Sequence, residues 1–192
     1  GKKIINGNLI AVRGTFTSSE RNGGIIFAED FNNIDIPPNN TTQNSEQPIS
    51  VGYLSDLHVG SKEFKENLFL KFLKFINGKS ENPRLRKCAS KIKYLIINGD
   101  LVDGVGIYPD QETDQNIPDI YRQYEKCYEL LLQIPDHITV IYTPGNHEPV
   151  RNALPRSRIP KKYLGNLVDL NLINVGNPSF IEISSVKHLL YH

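Results

Sequence analysis

Ile92-Lys93-Tyr94-Leu95-Ile96-Ile97-Asn98-Gly99-Asp100 is the stretch whose reading decides the fold. Its first seven residues are mostly apolar, the pattern of a strand covered on both faces. The run stops at a Gly-Asp pair, which leaves a carboxylate at the strand's carboxyl end. Upstream, residues 49–55 read as a strand running into Asp56-Leu57-His58. Downstream, residues 138–143 read as a third strand, followed closely by Gly145-Asn146-His147-Glu148. Between the first two strands, residues 62–77 read as an amphipathic helix, with Phe64, Leu68, Phe72, Phe75 and Ile76 near one face and Gly78 as its stop. A second helix starts behind Asp119 as N-cap and turns Ile120, Tyr121, Tyr124, Cys127, Tyr128, Leu131 and Leu132 inward. Residues 180–183 and 187–191 form a terminal strand pair that runs into His192. The order β-α-β-α-β specifies an α/β domain with a partly parallel sheet.

Four polar groups therefore follow strands: Asp56/His58, Asp100, Asn146/His147 and His192. Ligands of open α/β sheets bind in the crevice outside the carboxyl ends of the strands, so these groups should converge. Asp, Asn and His offer oxygen and imidazole nitrogen, donors that suit Mn²⁺, Zn²⁺ or Fe²⁺. An Asp-x-His pair on extended backbone points both side chains to one side. Asp100 can bridge two ions, one oxygen to each. Two ions roughly 3.5–4 Å apart would clamp a phosphoryl group and supply a hydroxide nucleophile near neutral pH. Gly99 and Gly145 are expected to let the backbone turn tightly. Taken singly, Asp-x-His and Gly-Asp are common without a ligand; the four groups in this order and register carry the reading. His137 reads as a surface residue and His188 as a packed or exposed one. Asp103 and Asp110 read as neighbours of the ligands or as solvated groups.

Residues 1–38 carry short apolar runs (9–12 and 24–28) between turn signals at Asn6-Gly7 and Arg21-Asn22-Gly23-Gly24, so they read as strands. Residues 37–48 are polar and read as a linker or exposed loop. A hydrophobic share of 39% with 22% charged residues is that of a soluble globular protein, and no apolar run could span a membrane. Cys88 and Cys127 lack metal-site spacing and read as reduced thiols of a cytoplasmic protein. The formal net charge of +1 hides an asymmetry. Residues 62–93 hold ten basic and three acidic groups, 100–136 two and nine, and 151–162 five and none. Such blocks are often only solvated faces, but these flank the candidate site and would attract an anionic polymer. With no Met among 192 residues and an end at His192 directly behind a strand, the sequence reads as a fragment.

Asp56-Leu57-His58, Gly99-Asp100-Leu101-Val102-Asp103, Gly145-Asn146-His147-Glu148 and the late His192 resemble the calcineurin-like metallophosphoesterase superfamily. The longer strings SDLHVGSKEF (55–64), INGDLVDGVGIYPDQ (97–111), IPDIYRQYE (117–125) and TPGNHEPVR (143–151) are similar to one branch, the small-subunit family of archaeal family D DNA polymerases. That resemblance implies a 3′–5′ proofreading exonuclease using two divalent ions, of which Mn²⁺ is the first choice. It also implies DNA and a large catalytic subunit as partners. Its domain plan is 1–38 as closing strands of an oligonucleotide/oligosaccharide-binding (OB) fold, 39–48 as linker and 49–192 as a metallophosphoesterase domain truncated at the C-terminus. Carried over residue by residue, it places Asp56 and His58 on the first metal, Asp100 as the bridge and Asn146 and His192 on the second. His147 acts at the scissile phosphate as general acid or charge stabiliser. Arg151, Arg156 and Arg158 are candidates for gripping the DNA backbone, on charge alone. Two departures stand out. Glu148 replaces the family's usual Asp, so if it orients His147 the geometry must adjust. The family's last motif, Gly-His-x-His, falls after the position of His192, and without it each ion lacks a protein ligand. Alternatives are a non-catalytic assembly subunit that docks the large subunit, and a phosphoesterase for other substrates, against which the basic blocks and the OB-like strands count.

Overall fold

The computed structural model describes residues 10–19, 23–33 and 43–192. The chain divides into two units, Gly1–Thr42 and Gln43–His192. In the first, β1 (Ile10–Ser19) pairs antiparallel with β2 (Gly23–Asn33), with a bulge between Arg13 and Gly14. The expected turns at Asn6-Gly7 and Arg21-Asn22, and residues 39–42 of the expected linker, lie outside the described residues.

In the second unit, β3 (Ser50–Leu54), β4 (Ile92–Asn98), β5 (Thr139–Thr143) and β6 (Leu172–Asn174) form one sheet in that order, parallel throughout. The connections carry α1 (Glu66–Ile76) and α2 (Pro83–Ala89), then α3 (Ile120–Leu131), then the short α4 (Lys161–Leu164). When successive parallel strands advance in one direction, right-handed crossovers put every connecting helix on the same face. Leu95, Ile97, Val140 and Tyr142 accordingly pack with Phe69, Leu73 and Ile76 of α1 and Tyr124, Cys127 and Leu131 of α3. The other face needs a different cover. It comes from the antiparallel pair β7 (Ser179–Ile183) and β8 (Val186–Leu190), where Ile183 and Leu190 meet Ile96 and Ile141. Two-sided burial is why the 92–98 run is apolar without alternation; Leu95, Ile96 and Ile97 are fully buried, each contributing about 1.5–3 kcal/mol.

Local differences from the sequence reading have local causes. Helix α1 begins at Glu66 rather than Lys62, because the Lys62 N–H is held by the Asp114 carbonyl and Ser61–Phe64 closes a turn. Its buried stripe is Phe69, Leu73 and Ile76, which leaves Leu68 61% exposed. In α3 the buried set is Gln123, Tyr124, Cys127, Leu130 and Leu131, while Tyr121 and Leu132 face out. Asp119 caps that helix as expected, accepting from the Arg122 N–H at 2.9 Å. Helix α2 and strand β6 had no counterpart in the reading. The signal for α2 was Asn82-Pro83, an N-cap with proline at N1.

Candidate metal centre

Backbone bonding ties the loops behind the strands to one another before any side chain acts. Asp56, His58 and Val59 donate to the carbonyls of Gly99, Asp100 and Leu101, and Gly99 donates to Thr143. The loops behind β3 and β4 thus continue side by side beyond the sheet and reach a parallel bridge at Val59–Val102. Asp56 (φ 55°), His58 (φ 49°) and Asp100 (φ 49°) all adopt the left-handed region, uncommon for non-glycine residues. The expectation of extended backbone at Asp-x-His is therefore corrected: each of the two residues sits at a reversal, and their side chains enter different groups. Of the two glycines, Gly99 is left-handed (φ 84°), as a tight turn requires. Gly145 is not, and serves close approach instead, since a Cβ there would overlap Asp100 Oδ1.

The side chains form two candidate ligand groups that share Asp100: His58, Asp100 and His147, and Asp56, Asp100 and His192, with ligand atoms in each group within 4.8 Å of one another. The family resemblance implies Asp56 and His58 on one ion; by ligand-atom distance each stands with Asp100, His58 beside His147 and Asp56 beside His192. Asp100 is 3% exposed; its Oδ2 lies 3.3 Å from His192 Nε2 and 3.7 Å from His58 Nε2, and its Oδ1 accepts the His147 N–H. Asn146 stands exposed on the turn before His147.

Two of the three imidazoles are hydrogen-bonded to backbone carbonyls through Nδ1, and the third has a carboxylate near Nδ1. His192 Nδ1 lies 2.8 Å from the Asn98 carbonyl, His147 Nδ1 2.6 Å from the Asp103 carbonyl, and His58 Nδ1 3.3 Å from Asp103 Oδ1. A backbone carbonyl oxygen only accepts, so Nδ1 of His192 and of His147 carries a proton and Nε2 is left facing its group. That is the arrangement in which histidine binds a metal, with the other ring nitrogen held by an oxygen acceptor. The residues present therefore fit divalent ions: a buried carboxylate common to two groups, flanked by imidazoles, of which His192 and His147 are held from Nδ1 by backbone carbonyls.

A further layer holds these groups, and little of it was legible in the sequence. Asp103 is buried, with Oδ2 accepting from Gln111 Nε2 (3.1 Å) and Gln115 Nε2 (2.6 Å). Gln123, also buried, accepts from the Gly104 N–H and donates to the Gly104 and Ile117 carbonyls. His192 is fixed by fully buried Asn177, whose Nδ2 donates to the carbonyls of His192 and Pro144, and by Arg156 Nη1 donating to the His192 carbonyl. The His147 ring is held by the Asp103 carbonyl, and the Glu148 carboxylate, whose orienting of that ring was the condition considered in the sequence, bonds elsewhere. Glu148 is 2% exposed and accepts the N–H groups of Asp100, Leu101 and Gly145 and the Tyr142 hydroxyl, at 2.7–3.1 Å. Burial pushes its carboxyl above the ordinary 4.5 and the charge of Asp100 adds to this, while the bonds from Tyr142, Leu101 and Gly145 pull the other way.

The remaining residues of the sequence reading fall outside these groups. Arg151 Nε donates to the Ala153 and Pro155 carbonyls, so it and Arg156 are partly occupied in bracing their own loop. Arg158 and Asp110 are exposed, as is His137. His188 bonds the Tyr53 hydroxyl. Cys88 and Cys127 are free thiols, the former exposed and the latter buried.

Carboxylate and imidazole donors gathered behind the strands of a parallel sheet are what a metallophosphoesterase site requires. Residues 49–191 match the calcineurin-like phosphoesterase family, and the chain belongs to it. Members of that family use divalent metals. Among its relatives, the chain is similar to the DNA polymerase II small subunits of three archaea. It is 38% identical to that of Pyrococcus furiosus over 192 residues (99% of this chain, 31% of the relative). It is 41% identical to that of Methanocaldococcus jannaschii over 181 residues (94% and 30%). It is 36% identical to that of Methanothermobacter thermautotrophicus over 192 residues (100% and 38%). The chain spans about a third of the length of these relatives. No helix among the described residues is long and apolar enough to cross a membrane.

Proposed function

We propose that this chain is the phosphodiesterase part of a small subunit of an archaeal-type replicative DNA polymerase, and that it removes nucleotides from DNA 3′ ends. The observation that carries the reading is the pair of ligand groups sharing Asp100, with His192 and His147 held from Nδ1 by backbone carbonyls. Asp56, Asp100 and His192 would hold one divalent ion, and His58 and Asp100 the other, with Asn146 available from its exposed turn. Mn²⁺ is the first choice and Zn²⁺ or Fe²⁺ also suit these donors. Bound there, two such ions stabilise phosphoryl charge and activate water at neutral pH.

The chain's own residues do the positioning. Asp100 fixes the spacing of the two groups, and its buried carboxylate is held by the backbone turn that Glu148 clamps. His147 stands edge-on to His58, ring centroids 4.5 Å apart; with Nδ1 donating to the Asp103 carbonyl and a second proton on Nε2, it would serve at the scissile phosphate as general acid or charge stabiliser. Arg158 and the basic surface of residues 62–93 would attract the DNA backbone. Strands β1 and β2 fit the closing strands of an OB fold, and a cytoplasmic site of action suits a replication enzyme with free thiols. The relatives' printed name, small subunit, also supports an assembly role, docking a large catalytic subunit, and the two roles are compatible.

The test is direct. The full-length chain, with its large subunit, is incubated with Mn²⁺ and 3′-labelled single-stranded DNA. Release of mononucleotides that Asp100→Asn abolishes supports the reading; no release from the unaltered complex removes it. Equal turnover of a generic phosphomonoester would move the assignment away from DNA.

A further inference from the structure

Beside the candidate metal centre lies a groove of about 280 Å³ whose apolar lining includes Phe64, Leu68 and Phe72 and whose charged lining is Asp56, Glu63 and Lys65. Three features set it apart from a chance dent in the surface. It shares Asp56 with a candidate ligand group, so the two adjoin. It is aromatic: Phe69 and Phe72 are stacked at 6.0 Å and 23°, and Phe64 stands tilted against Phe69 at 6.5 Å. Its helix, α1, is apolar toward the groove yet carries exposed Lys71 and Lys74 and lies in the basic segment 62–93. Leu68, which the helix core does not use, is 61% exposed at the rim.

We infer that this groove takes a nucleobase flanking the scissile phosphate of a single-stranded nucleic acid. The inference rests on the phosphodiesterase reading above and names the substrate subsite it leaves open. A phosphate at the Asp56 group carries its sugar and base into the adjoining space, and the groove's volume suits one flat ring system rather than a large ligand. Bases stack on aromatic side chains with little regard for sequence, because every base has a π-face, while basic groups track the backbone. The combination fits an exonuclease that must accept any terminal nucleotide. A polypeptide segment would use the same apolar surface, but it would not need the shared carboxylate wall.

The full-length chain in complex with its large subunit is assayed with Mn²⁺ on single strands that either carry every base or bear an abasic residue on one or the other side of the terminal phosphodiester. The expected result is a KM for one abasic strand raised roughly 5- to 150-fold, the loss of one stacked base, with kcat little changed. Leu68→Ser and Phe72→Ala should raise the KM of the intact strand and erase that difference, with folding checked by circular dichroism. If the unaltered complex cuts intact and abasic strands with equal KM, the groove holds no base, although the hydrolytic reading stands. If it cuts none of the strands, both fall. If the variants shed the large subunit without changing base discrimination, the groove docks a polypeptide and the inference is overturned.

Discussion

Replacing Glu148 with glutamine tests the layer beneath the metal centre without touching a ligand. Each carboxylate oxygen accepts twice: Oε1 from the Leu101 N–H and the Tyr142 hydroxyl, Oε2 from the N–H groups of Asp100 and Gly145. Glutamine keeps one accepting oxygen and turns an amide toward the other two donors. Two buried donors are then left unsatisfied at about 1–3 kcal/mol each, a gross loss of about 2–6 kcal/mol. Part is returned because a charge no longer has to be buried, the same effect that raises this carboxyl in the native state. The net expectation is about 3 kcal/mol, or a Tm about 6–12 °C lower in a domain of this size. The displaced donors belong to the turns that carry Asp100 and His147, so Mn²⁺ affinity should also fall about 10- to 100-fold, as it does when groups behind a ligand are altered. Thermal unfolding by circular dichroism and titration calorimetry with Mn²⁺, both on the full-length chain, measure the two effects. A Tm within about 1 °C of the parent and unchanged Mn²⁺ affinity would refute the clamp.

Three other outcomes are expected. Gly145→Ala places a Cβ on Asp100 Oδ1, so its Mn²⁺ affinity by calorimetry should drop at least about tenfold while secondary structure is retained. Thiol titration should find Cys88 reactive in the native chain and Cys127 silent until unfolding, because Cys127 is buried and burial pushes its thiol well above 9.0. Tyr124 and Tyr142 are buried phenols, pushed well above the ordinary 10.0 by burial first and by the Glu148 charge second. Their neutral forms add stability that is full below pH 10 and is lost as pH rises beyond it, so denaturation midpoints should fall steadily above pH 10, and Tyr142→Phe should flatten that fall.

Period and punctuation carried most of the fold. The unbroken apolar run at 92–98 meant burial on both faces, and one face is covered by helices and the other by the β7–β8 pair. Short or weakly periodic pieces were lost: β6 has three residues, and α2 has seven, of which only Ala89 is buried. The phase of α1 was misjudged because Phe64, Leu68 and Phe72 form a regular i, i+4 stripe, while the helix starts later and buries Phe69, Leu73 and Ile76. At the site, the residues with metal chemistry were visible by type and by place behind a strand. Their supports were not. Asn177, Gln111, Gln115 and Gln123 are ordinary amides in sequence, and only the tertiary fold brings them against His192 and Asp103. Glu148 was visible as a departure from the family's usual Asp, but its role was not, because only the turn shows its carboxylate pointing inward to Asp100, Leu101 and Gly145.

That Asp100 joins two cation sites is best examined by counting Mn²⁺ on the full-length chain, by electron paramagnetic resonance and calorimetry together. The unaltered chain should bind two ions and give a spin-coupled spectrum, as ions bridged by one carboxylate at about 3.5–4 Å do. His192→Ala and His58→Ala should each lose one ion and the coupling, and Asp100→Asn should weaken both sites at once. Two ions retained at undiminished affinity in Asp100→Asn would contradict the shared centre.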